Sequence, residues 1–158
     1  MLKKILNNLG LIFLALFLQL TLGKLVSIQD IKPDFLLIAV IFIGESRGKL
    51  YGEIWGFIVG LIADGIGLSM LFGISALGKT IAGFISGFLH DSKRSMGRFY
   101  YYSIVATIML IHFIIIYTIY YNSSEFNLQY IVLRYVIPST IYTFIIYVLV
   151  DIIYPREQ

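Results

Sequence analysis

The sequence predicts an all-α integral membrane protein with about six transmembrane helices and both ends in the cytoplasm. Three observations carry this. Charged residues make up 13% of the 158-residue chain and hydrophobic ones 59%, whereas about 25% of an average soluble domain is charged. A soluble fold this small cannot bury so much apolar surface, so lipid must cover it. The apolar residues also fall in runs too long and continuous for the roughly ten-residue alternation of an outer-membrane strand. Finally, the basic residues collect on alternate loops, as the positive-inside rule demands.

One membrane domain, residues 1–158, is expected, with spans over 8–26, 35–44, 50–65, 70–89, 99–121 and 128–153. The first follows Lys3 and Lys4 and resembles a signal peptide. No small-x-small cleavage site follows, so it reads as a retained span. The second is short, since ten residues rise about 15 Å, half the hydrocarbon thickness. Charge argues that it crosses. If all six cross, Lys3, Lys4, Arg47, Lys49, Lys93, Arg94, Arg98 and Arg156 face the cytoplasm, and only Lys24 and Lys32 face out, beside Asp30 and Asp34. A second span that turned back would put the basic stretch 90–98 outside. The second span is therefore expected to be enclosed by its neighbours.

Tyr100, Tyr101 and Tyr102 open the fifth span, and Tyr117, Tyr120 and Tyr121 close it. Tyrosine favours the headgroup boundary, where its ring is buried and its hydroxyl stays wet. Pro138 interrupts the sixth span by removing one helix hydrogen bond. Ser139, Thr140 and Thr143 stand ready to satisfy freed backbone groups.

Gly52, Gly56, Gly60 and Asp64 recur every four residues and share one face of the third span. Ser75, Lys79, Gly83 and Gly87 do the same on the fourth. Small residues let helix backbones approach closely in lipid, so the two spans should form a tight hairpin turning near residues 66–69. Asp64, Lys79 and Arg134 are ionisable and fall in the outer half of the bilayer. Such groups are costly in lipid and usually face a partner or water. Either Asp64 pairs with Lys79 or Arg134, or it sits wet at the interface with Lys79 snorkelling. His112 is mid-membrane, either a proton relay or a neutral histidine hydrogen-bonded in the bundle. Glu53 and Asp151 should be solvated near the cytoplasmic ends.

Catalytic patterns are absent. The two histidines, His90 and His112, lie on different segments and cannot form a one-turn zinc pair. Gly73-Ile74-Ser75-Ala76-Leu77-Gly78 misses the nucleophile elbow by one residue. Asp64 has no acidic partner at its depth, and phosphate-loop and dinucleotide glycine patterns are missing. With no cysteine, thiolate metal sites and disulfides are excluded. The net charge of +3 belongs to orienting loops rather than to a nucleic-acid face. No enzyme activity, cofactor or metal is expected.

Residues 32–87 resemble the rod shape-determining protein MreD family. Pro33 and Asp34 open a short apolar span, and Arg47-Gly48-Lys49 form a basic turn. Gly56, Phe57, Gly60 and Asp64 match a Gly-Phe-x-x-Gly-x-x-x-Asp pattern, followed by Ser69 and Gly73. The sixth span carries the internal proline, here Pro138. Lys79 is not part of the family pattern. The resemblance implies a non-enzymatic scaffold of the bacterial cell-elongation complex in the cytoplasmic membrane. Its direct partner would be MreC, with MreB, RodA and a class B penicillin-binding protein in the same complex. It also implies a fold similar to the membrane-embedded substrate-binding subunit of energy-coupling-factor vitamin transporters. A ligand-binding transporter subunit is therefore the alternative, with Asp64, Lys79 and Arg134 as its polar groups. Such subunits dock through small residues on the first span, which here has one alanine, Ala15. A proton-coupled carrier using Asp64 and His112 finds no inverted repeat to support it.

Overall fold

The computed structural model describes residues 2–29, 31–66, 71–90, 92, 96–122 and 126–153. Seven α-helices follow in order: α1 Leu2–Leu25, α2 Phe35–Arg47, α3 Lys49–Gly65, α4 Ile74–Ser86, α5 Arg98–Tyr120, α6 Leu128–Ile131 and α7 Ile137–Ile153. A 3-10 turn, Gly87–Leu89, extends α4, and a π turn, Val132–Val136, joins α6 to α7. The described residues thus form six rods, the number that the sequence predicts. Ile5–Gly23, Arg98–Tyr120 and Leu128–Ile153 are long and apolar enough to cross a bilayer. The rods α2 to α4 are shorter, with 13, 17 and 13 residues. At 1.5 Å per residue they rise about 20–25 Å, less than the hydrocarbon thickness of about 30 Å.

α2 is the centre of the bundle. Every residue from Leu36 to Glu45 is buried, as expected of a helix that is apolar all round. Leu36, Ala39, Val40 and Ile43 pack with Ile12 and Ala15 of α1 and Val59 and Ala63 of α3. Leu37, Ile38, Ile41 and Phe42 pack with Val105, Ile108 and Met109 of α5 and Tyr147 of α7. The short second span is thus enclosed as predicted, but it runs one turn further, to Arg47. Gly48 alone separates it from α3, with φ +87°, a backbone state that glycine adopts without penalty.

α3 and α4 form the tight hairpin that the small-residue rows predict. A Cβ on Gly52 would strike the Gly83 carbonyl, one on Gly56 the Lys79 backbone, and one on Gly60 the Ala76 backbone. A Cβ on Gly83 would meet Gly52, and one on Gly87 the Lys49 backbone. Gly44 is part of the same seam, facing Ser86 and Gly83. Without a hydrophobic drive between helices in lipid, such backbone contact is what holds two of them together. The predicted turn, beyond Ile66, lies outside the described residues, as do Lys93, Arg94 and Arg156. The fourth span was expected from residue 70, but its helix begins at Ile74 after Gly73, which has φ +98°.

The irregularity near Pro138 takes the form of the π turn. The hydroxyls beside it are used differently from expectation. Thr140 bonds back to the Val136 carbonyl at 2.8 Å. Ser139 pairs instead with the Tyr117 hydroxyl at 2.9 Å, and Thr143 accepts from the Asp34 backbone N–H at 3.2 Å. The tyrosine belt is also only partly a boundary belt. Phe99 and Tyr100 are exposed, whereas Tyr101 is buried.

Candidate functional site

The Pro33–Asp34 step, where the chain enters α2, gathers five helices. From α1, the Gln19 amide donates to the Pro33 carbonyl at 3.3 Å and accepts the Phe35 N–H at 2.8 Å. The Asp34 carboxylate caps α2, its Oδ1 accepting the Leu37 N–H at 2.8 Å. An acceptor there satisfies one of the orphan donors of the first turn. The other oxygen, Oδ2, lies 2.6 Å from Lys79 Nζ of α4 and 3.5 Å from His112 Nε2 of α5. Thr143 of α7 takes the Asp34 N–H. Lys79 is 3% exposed and Asp34 17%, so this is an ion pair inside the bundle with one side near the surface.

His112 is fully buried, and 3.5 Å is long for a hydrogen bond. Among the described residues neither ring nitrogen has a partner in good hydrogen-bond geometry. His112 is thus seated inside the bundle beside the Asp34 carboxylate. Gly78 makes its room, because a Cβ there would come within 2.9 Å of His112 Nδ1.

Asp64 pairs with neither Lys79 nor Arg134. Its carboxylate reaches from the last turn of α3 to the start of α4, accepting the N–H groups of Gly73 at 2.9 Å, Ser75 at 3.2 Å and Ala76 at 3.2 Å. A negative charge is favoured at the positive end of a helix dipole. Asp64 is also buried, which excludes a wet interfacial position. The pattern Gly56, Gly60, Asp64 thus acts as one device: the glycines bring α4 close and the aspartate fixes its end. Phe57, between them, points outward and is 51% exposed. Arg134 lies apart, its guanidinium 3.2 Å from the Gln29 carbonyl. The structure therefore disperses the predicted polar trio.

A second polar network lies at the opposite end of α2 and was not foreseen. Glu45 is 1% exposed and accepts from the Tyr147 hydroxyl at 2.8 Å, which sits 2.7 Å from that of Tyr101. Asp151, expected to be solvated, is buried and accepts from the Tyr102 hydroxyl at 3.1 Å. Glu53 is exposed, as expected. The signal for Glu45 was present: a carboxylate closing an apolar run on an enclosed helix must find a donor.

Apolar rods with polar side chains turned inward to tie helix to helix fit a multi-pass helical membrane protein. The model of one family, the rod shape-determining protein MreD, matches residues 3–155. The chain belongs to the MreD family. No curated protein and no solved structure matches it significantly.

Proposed function

We propose that the chain is a non-enzymatic scaffold of the bacterial cell-elongation complex, crossing the cytoplasmic membrane six times with both ends inside. It binds MreC directly, and through MreC it connects MreB filaments to RodA and its class B penicillin-binding protein. The family match over residues 3–155 carries this reading. The use of the polar residues supports it. Asp34, Lys79, Asp64, Glu45 and Asp151 all bond to other helices or cap their ends. A scaffold needs such rigidity more than an open polar cleft.

The transporter-subunit reading loses its polar cluster and finds no docking face on the first span. Asp64, Lys79 and Arg134 do not converge, and Ala15 is buried against α2 rather than offered to a partner. The scaffold reading predicts that depleting the protein turns rod-shaped cells round and that re-expression restores rods. Cells that keep their shape through several generations of depletion would refute it.

A further inference from the structure

Beside Arg134 the surface carries a groove of about 550 Å³ between the α1–α2 loop and the last rod. Its walls include Ile28, Leu133, Ile141 and Ile145, each at least half exposed. The Tyr142 hydroxyl is already committed to the Val26 carbonyl at 2.7 Å, so the floor offers little to a polar ligand. Arg134 stands at one end, donating to Gln29 and lying 5.4 Å from the Tyr135 ring centroid. Among the described residues no carboxylate pairs with it. A guanidinium has five N–H donors, and a cation within a span normally has a counter-charge or reaches the boundary.

Depth and charge select the missing partner. Leu128–Ile153 has 26 residues and rises about 39 Å, overrunning the hydrocarbon by about 4–5 Å at each end. Arg134, six residues in, lies about 9 Å along the rod, just beneath the headgroups. Ile145 lies about 16 Å further down. A single acyl chain suits a narrow apolar channel, and a phosphate suits the cation at its mouth.

We propose that this groove binds one anionic phospholipid, with an acyl chain along Leu133, Ile141 and Ile145 and the phosphate on the Arg134 guanidinium. The full-length protein, delipidated in mild detergent and offered equal phosphatidylglycerol and phosphatidylcholine, should retain one lipid by native mass spectrometry. Phosphatidylglycerol should be favoured about fivefold, the scale of one Arg near a membrane surface. Arg134→Gln should abolish the preference. Ile141→Trp should reduce retention of both lipids, and it decides the matter if Arg134→Gln does not fold. Lys49→Gln, at a cation placed over the Phe88 ring elsewhere, should change nothing. The proposal is overturned by an unchanged preference in Arg134→Gln, by full retention in Ile141→Trp, or by no retained lipid in the native protein, which would assign the groove to a partner segment. Complete displacement by soluble glycerol phosphate would also overturn it, because the chain would then contribute nothing.

Discussion

Lys79→Met and Asp34→Asn, singly and together, test the ion pair at the head of α2. Breaking a buried pair by removing one partner costs about 3–5 kcal/mol, because the other charge is left uncompensated. The two halves are unequal here. Asp34→Asn strands an ammonium that is 3% exposed, and although the amide oxygen can still cap Leu37, the loss should be on the order of 3 kcal/mol. Lys79→Met strands a carboxylate that is 17% exposed and keeps its bond from the Leu37 N–H. Its cost should be nearer 2 kcal/mol, the scale of one charged hydrogen bond. In the double variant neither charge of the pair remains to be stranded, so Lys79→Met should partly rescue Asp34→Asn. The assay is reversible denaturation in micelles, followed by the fluorescence of Trp55, the single tryptophan. Losses that simply add in the double variant would refute the argument, since an uncoupled pair could not be holding α2 to α4.

Gly52→Ala and Gly83→Ala should each destabilise the protein by about 1–3 kcal/mol or more, the cost of overpacking against groups that cannot yield. Gly10→Ala, in α1 with nothing near its Cβ position, should be neutral or mildly stabilising, as the same unfolding assay would read. Gly73→Ala should cost about 1–2 kcal/mol although the space there is open, because the backbone conformation alone penalises a side chain. Asp64→Ala should cost about 1–3 kcal/mol by orphaning amides at the start of α4, and hydrogen exchange should rise first at Ser75 and Ala76.

The rods were legible because apolar length and four-residue glycine rows are local properties of the sequence. The pairing of charges was not. Periodicity assigns Asp64 and Lys79 to faces of adjoining helices, but depth along a helix could not say which group each side chain meets. Lys79 finds Asp34, 45 residues away, and Asp64 finds backbone amides, which no sequence pattern marks. Glu45 was passed over because the apolar run ends at Gly44, although the helix carries it inward to Tyr147, 102 residues on. Pro138 announced an irregularity, but whether it would be a bend or a π turn depends on packing against α5. The motif residues Pro33, Asp34 and Asp64 were visible as a resemblance, and the structure gives them a physical role as connectors between helices.

Affinity purification of the tagged protein from detergent-solubilised membranes of its own host, with its associated proteins identified, tests the scaffold reading most directly. MreC should be recovered with it in defined ratio, and RodA with its transpeptidase after mild cross-linking. Recovery without MreC, together with a bound vitamin or the subunits of an energy-coupling transporter, would contradict it.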